Sequence, residues 1–291
     1  MVKPNLFILG APKCGTTSLA AWLAEHPDIY FSPIKEPHFF NTDHKRFLNS
    51  LESYEKLFAG AGRRHRAVGE ASVWYLCSSV AVKNILDYSP AAKFIVMLRN
   101  PVEMAPSLHE EQVFTGREDV ADFAEAWKLR DARRAGSNLP LMVWDPKLVQ
   151  YDDLCRLGAQ VRRLLDIAPR DRVKFLLFED VAGDPGAAYR AVLEFLGIDD
   201  DHRRDFPTHN RAKTRRWKNL VTVAWAASSV KTALGIERGL GLWKRIDAMN
   251  RVERPRPQIS DDMKRVLRNY FAADVDLLQS LIGRDLSRWR S

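Results

Sequence analysis

Between Phe7 and Leu19 an apolar run gives way to Gly10, Lys13, Cys14, Gly15, Thr16, Thr17 and Ser18, and then to a helical pattern. Residues of these types in this order can cradle a phosphate. The glycines let the backbone turn tightly and approach an anion, and the amides of Cys14 to Ser18 open a helix whose N-terminus favours negative charge. Lys13 adds a mobile charge, and Thr16, Thr17 and Ser18 add hydroxyl donors. Gly10 and Gly15 have the Walker A spacing, but Thr16-Thr17 stands where that motif has Lys followed by Ser/Thr, and the lysine sits inside the loop. A displaced lysine points to a nucleotide used for something other than hydrolysis of ATP or GTP. A plain strand-to-helix turn with a hydroxyl cap is the bland alternative.

A second run, Phe94-Ile95-Val96-Met97-Leu98, ends in Arg99 where a Walker B strand would carry a magnesium-binding aspartate. Arg99 is a fork-shaped donor suited to a second phosphate, and Ser107, eight residues on, could share it. The alternative is an arginine paired with a neighbouring carboxylate. In Lys35-Glu36-Pro37-His38-Phe39-Phe40, a carboxylate and an imidazole two positions apart sit beside aromatic bulk. That pairing suits general-base work, although taken alone the segment reads as readily as a loop with a surface ion pair. Pro37 biases Glu36 toward an extended backbone. Glu70, in Gly69-Glu70-Ala71-Ser72, could orient a base or a substrate, or partner Lys13 or Arg99. Between His202 and Lys218, Arg203, Arg204, Arg211, Lys213, Arg215, Arg216 and Lys218 face a single acid, Asp205. The run reads equally as a solvated face and as a flap closing over phosphates.

These groups need a scaffold. Leu6–Leu9, Phe94–Leu98 and Val173–Phe178 read as short buried strands. Amphipathic patterns run through about Val120–Arg134, Lys147–Leu165, Pro185–Leu196 and Asp261–Ile282, and His26-Pro27 stops the helix that follows the first strand. Strands separated by helices predict one α/β domain with a central parallel sheet flanked by helices, its ligands at the carboxyl ends of the strands. The irregular stretch 206–257 reads as a lid or acceptor-side insertion. Within it, Leu220–Trp243 is apolar with basic neighbours, which suits a core helix, a dimer contact, an acceptor site or a peripheral membrane contact.

In 291 residues, 46% apolar and 28% charged, there is material for a sizeable core. No apolar run reaches the ~20 residues of a membrane span. Three separated cysteines, Cys14, Cys77 and Cys155, form neither a disulfide framework nor a zinc site, and with no signal peptide visible they predict a cytoplasmic protein. The net charge of +8 implies anionic partners. No nucleic-acid-binding motif accompanies it, so an anionic small molecule accounts for the excess. A P-loop-like kinase and a non-catalytic polyanion or nucleic-acid binder are the rival classes.

Together these pieces resemble the superfamily of sulfotransferases that use 3′-phosphoadenosine 5′-phosphosulfate (PAPS), most of all the heparan-sulfate-type O-sulfotransferases and their bacterial relatives. Leu9 to Leu19 is similar to the family's 5′-phosphosulfate loop, and Val96 to Pro101 with Ser107 to its 3′-phosphate site. Glu36-Pro37-His38-Phe39-Phe40 resembles the segment carrying the catalytic glutamate, and Phe178-Glu179-Asp180 through Gly197 the later strand and helix. The resemblance implies a P-loop-kinase-like sulfotransferase fold and transfer from PAPS to an acceptor hydroxyl, releasing PAP without a metal. It implies Glu36 as base, Lys13 and the loop to Ser18 on the phosphosulfate, and Arg99 and Ser107 on the 3′-phosphate. His38 would orient the acceptor, with Lys35, Glu70 and His109 on the acceptor side and His109 an outside candidate for the base. The family's late Lys-Gly-rich loop is not recognisable here; Arg211, Lys213, Arg215 and Arg216 are the residues that could replace it.

Overall fold

The computed structural model describes residues 2–44, 48, 50–208 and 258–290, and the backbone alone of 213–215 and 251–253. They gather into two compact units, one of Met1–Ala105, Asp153–His209 and Asp262–Ser291, the other of Pro106–Asp152 and Asn210–Asp261.

The first unit carries a five-stranded parallel sheet. Its strands are β1 (Leu6–Gly10), β2 (Ile29–Phe31), β3 (Ala67–Ala71), β4 (Lys93–Leu98) and β5 (Val173–Leu177), in the order β2-β3-β1-β4-β5. Every residue of β1 and β3 is buried, which is why β1 reads as a continuous apolar run rather than an alternating one. Phe7 lies opposite Glu70 on one side and Phe94 on the other. The chain order reverses at β1, so the crevice beyond its carboxyl end is where a sheet of this kind receives ligands.

Around it run α1 (Thr16–Ala24), α2 (Leu51–Lys56), α3 (Ala81–Tyr88) and the first turn of α4 (Pro101–Thr115). In the second unit lie the rest of α4, α5 (Phe123–Lys128) and α6 (Arg130–Arg134). The chain then continues through α7 (Tyr151–Leu154), α8 (Leu157–Ile167), α9 (Phe178–Gly183), α10 (Pro185–Leu196) and α11 (Asp261–Ile282). On α11, Met263, Leu267, Phe271, Val275, Leu278 and Ile282 are buried, whereas Val266 is exposed. Asp274 of α11 caps α8, its carboxylate accepting the amides of Gly158 at 2.8 Å and Ala159 at 2.9 Å. Those amides would otherwise lack intrahelical partners.

The second unit adds a short antiparallel pair, β6 (Lys213–Arg215) and β7 (Arg251–Glu253). Apart from 206–208 and these two strands, the stretch 206–257 lies outside the described residues, and with it Arg211, Arg216 and Leu220–Trp243. Among the described residues no helix is long and apolar enough to cross a membrane.

Candidate active site

The loop after β1 turns where only glycine can. Gly10 has φ 131°, and a Cβ there would stand 2.4 Å from the Val73 carbonyl oxygen. Gly15, with φ 88°, ends the loop and begins α1, whose first turn holds no acid. Thr16 and Ser18 are buried at that N-terminus, so their hydroxyls and the adjoining amides form a polar lining at a positive helix end. Lys13 itself has φ 64°, a left-handed conformation that costs a non-glycine residue about 1–2 kcal/mol. Cys14 is wholly buried, its thiol donating to the Pro12 carbonyl at 3.3 Å, and burial pushes its pKa up to about 12. It is a packing residue and no nucleophile.

Arg99 follows the last residue of β4 and is buried. Its Nη1 donates to the Lys13 carbonyl at 3.3 Å, tying the strand end to the loop. Nε and Nη2 donate to Glu103 Oε2 at 3.2 and 2.7 Å, and the guanidinium lies 4.5 Å from the centre of the Phe178 ring. The arginine thus makes the carboxylate pairing weighed from sequence, with a residue one turn along α4. Phe178 opens α9; Asp180 pairs with Arg284 and Glu179 accepts the Trp289 indole N–H at 2.7 Å.

Glu36 departs from the expected extended backbone. Its φ is 64°, and His38 follows with φ 49°. Local preference loses here to anchorage on the sheet edge. The Glu36 amide donates to the Ala71 carbonyl at 2.9 Å, and Glu36 Oε2 accepts the Val73 amide at 2.8 Å. Lys35 pairs with Oε1, and His38 Nε2 lies 3.3 Å from Oε2. Glu36 remains partly exposed. Left-handed non-glycine residues persist where surrounding structure over-determines them. Lys13, Glu36 and His38 are three of the five such residues among the described residues.

Glu70 lies at the next strand end and is wholly buried. Oε1 accepts the hydroxyls of Tyr54 at 3.0 Å and Tyr75 at 2.9 Å, and Oε2 accepts Ser72 Oγ at 2.8 Å. Burial, with a smaller contribution from the nearby Glu36 charge, raises its pKa to about 7 against the lowering effect of those three hydrogen bonds. The sequence offered Glu70 as a residue orienting a base or a substrate, or as a partner of Lys13 or Arg99; among the described residues its hydrogen-bond partners are the hydroxyls of Tyr54, Ser72 and Tyr75. His109 is buried in the second unit, its ring nitrogen 2.8 Å from the Val120 carbonyl, and burial lowers its pKa. Ser107 also lies in the second unit, buried, its hydroxyl without a hydrogen-bond partner among the described residues.

At the carboxyl edge of the first unit's sheet, then, a loop shaped for an anion, a buried arginine bonded to that loop and a carboxylate–imidazole pair come together. Sequence reasoning missed the supporting residues Tyr54, Ser72 and Tyr75. The signal available was Ser72 and Tyr75, two hydroxyl side chains within five residues of Glu70; for Tyr54, 16 residues away, the sequence carried none.

The model of the family described as sulfotransferase domain matches residues 3–271. A sulfotransferase from Alicyclobacillus acidocaldarius, known from its crystal structure, is 32% identical and superposes over 100% of both chains with a TM-score of 0.75. Carbohydrate sulfotransferase 15 of Mus musculus is 32% identical over 67% of this chain and 44% of its own length. Heparan sulfate glucosamine 3-O-sulfotransferase 3B1 of Mus musculus is 26% identical over 97% of this chain and 64% of its own. The chain therefore spans less than two thirds of these curated relatives.

Proposed function

The chain belongs to the sulfotransferase domain family, and on that footing we propose that it moves a sulfuryl group from PAPS to the hydroxyl of a small-molecule, glycan or lipid-like acceptor, releasing PAP. That the chain is a sulfotransferase follows from the family; the donor, the base and the acceptor are the proposal.

In this reading the Glu36 carboxylate takes the acceptor's hydroxyl proton as the oxygen attacks sulfur. A new O–S bond forms while the bond from sulfur to the 5′-phosphate oxygen breaks. Lys13, with the amides and hydroxyls of Cys14 to Ser18, neutralises the charge left on that oxygen, a preorganised electrostatic effect. His38 orients the acceptor, with Lys35 beside it. Arg99 takes the 3′-phosphate and so selects this donor over nucleotides without one. Ser107 remains a second donor to that phosphate on the sequence resemblance, and Lys213 and Arg215, with Arg211 and Arg216, remain candidates for the same group. The stretch 206–257 is carried in this proposal as a lid or an acceptor-side insertion.

The observation that carries the proposal is the bond from Arg99 Nη1 to the Lys13 carbonyl at 3.3 Å, which joins the strand-end cation to the anion loop. Two anion-binding groups held together suit a nucleotide with a phosphate at each end. A thermal-shift comparison tests it. PAP raises the melting temperature well above ATP with magnesium or an oligonucleotide, because a ligand that binds the folded state stabilises it. Equal shifts for PAP and ATP overturn the donor assignment. Labelled PAPS supplied with a pooled panel of sugars, phenols and long-chain alcohols then reports the acceptor class.

A further inference from the structure

The loop from Glu36 to Phe40 holds two left-handed residues, and something must keep it there. Its amides point at two hydroxyls. Ser72 Oγ accepts the His38 amide at 3.2 Å, and Tyr75 Oη accepts those of Phe39 at 3.0 Å and Phe40 at 3.3 Å. A hydroxyl has one proton to give, and where it goes decides which way its lone pairs face. Both protons go to the same group: Ser72 donates to Glu70 Oε2 and Tyr75 to Glu70 Oε1. Glu70 therefore commits both hydroxyls as acceptors toward the loop.

The surroundings make that commitment firm. Phe40 packs its ring against Phe7, Tyr54, Tyr75 and Tyr88, and Phe39 stacks on Tyr54 at 4.7 Å. This aromatic shell excludes water that could otherwise replace a lost hydrogen bond. Tyr54 gives its own proton to Glu70 as well, which fixes the ring that Phe39 stacks on. Among the described residues Glu70 has three hydroxyl donors and no cation, an arrangement that directs hydroxyls rather than neutralising a charge.

We propose that Glu70 is the positioning residue of the catalytic loop: acting through Ser72 and Tyr75, it fixes the amides of His38, Phe39 and Phe40 and so holds Glu36 and His38 in reacting geometry. The role in turnover rests on the reading of Glu36 as base; the hold on the loop does not.

The test is Glu70→Gln, read by hydrogen–deuterium exchange, PAP calorimetry and turnover of labelled PAPS with the pooled acceptors. The amides of 38–40 exchange about three- to tenfold faster while those of β1 and β4 are unchanged. PAP affinity stays at the wild-type value, and kcat falls about 10- to 100-fold, as a small misplacement of a reacting group requires. Ser72→Ala removes the acceptor of the His38 amide and one of the three hydroxyls on Glu70, leaves the Tyr75 link in place, and gives a smaller effect in the same direction, which keeps the question open to an answer if Glu70→Gln does not fold. Unchanged exchange at 38–40 overturns the proposal. So does exchange that rises across the whole sheet, or a fall in kcat matched by an equal loss of PAP affinity, since either makes Glu70 a general support of the fold. Glu36→Gln with undiminished turnover overturns the base assignment and leaves the exchange result standing.

Discussion

Glu70 and Glu118 are both buried, one in each unit, and the protein solvates them in opposite ways. Glu118 has a bidentate arginine: Arg133 Nη1 donates to Oε2 at 2.7 Å and Nη2 to Oε1 at 2.8 Å, and neither side chain is exposed. The Val120 amide and the Tyr151 hydroxyl complete its shell. Burial alone would raise its pKa, but the Arg133, Val120 and Tyr151 hydrogen bonds hold it below the ordinary value. Among the described residues Glu70 has only hydroxyls, and burial carries its pKa to about 7. A buried carboxylate given a cation is a fixed ion that locks its own neighbourhood. One given hydroxyls keeps a negotiable charge, and its influence passes outward through the groups it orients.

The largest test of that contrast is to take the cation away. Arg133→Met leaves Glu118 buried and uncompensated, and costs about 3–5 kcal/mol in urea unfolding. Adding Glu118→Gln to it recovers much of the loss, because the uncompensated charge is gone. A cost below about 1 kcal/mol for the single variant would mean that a buried glutamate here manages without its arginine, and the contrast with Glu70 would collapse.

The next effect is in pH, and the two glutamates have opposite signs. Glu70 has a folded pKa raised from 4.5 to about 7, so the folded state holds its proton more tightly than the unfolded. Its stabilising contribution is complete below about 4.5, declines as pH rises and is gone above about 7, a swing on the order of 3 kcal/mol at most. Glu118 has a depressed folded pKa, so its contribution is present above 4.5 and lost as pH falls through the folded value. Stability measured against pH in Glu70→Gln therefore loses its slope between about 4.5 and 7. The double variant of Glu118 and Arg133 loses only the acid limb. A wild-type slope retained near neutrality in Glu70→Gln would assign that titration to another group.

The contrast was invisible in the sequence for a physical reason. β1 and β4 were legible because strands buried on both faces are largely continuous apolar runs, β5 because four of its five residues are apolar, and Pro185–Leu196 and Asp261–Ile282 appeared as helices at the expected bounds. β3 was not read as a strand, because Ala67-Val68-Gly69-Glu70-Ala71 places a glycine and an acid where a buried strand should be apolar. The acid is tolerated only because Tyr54 and Tyr75 reach it, and Tyr54 is 16 residues away on α2. The pattern over 120–134 broke at Leu129 into α5 and α6, and that over 147–165 broke between a short 3₁₀ turn, α7 and α8. Pro37 misled about Glu36, since contacts with Ala71 and Val73 outweigh a local backbone bias. What could be read was residue type and spacing along the chain; what could not was which hydroxyls and carboxylates the sheet order brings together.

The smallest effect isolates burial from geometry. Lys83 and Asp87 pair at 2.6 Å across one turn of α3, slightly closer than the 2.7 Å of Arg133 and Glu118, but their side chains are 68% and 61% exposed. Water already solvates both charges in the unfolded chain and nearly as well in the folded one, so little solvation is exchanged when they meet. Two long side chains must also be held in one rotamer each. Lys83→Ala should therefore change stability by only about 0.3–0.5 kcal/mol, and by less at high salt, where screening removes the attraction. The measurement is the shift in urea midpoint at low and high ionic strength, set beside that of Arg133→Met. If the exposed pair proved as costly to break as the buried one, contact distance rather than desolvation would govern these carboxylates. The different behaviour of Glu70 and Glu118 would then need a cause other than what surrounds them.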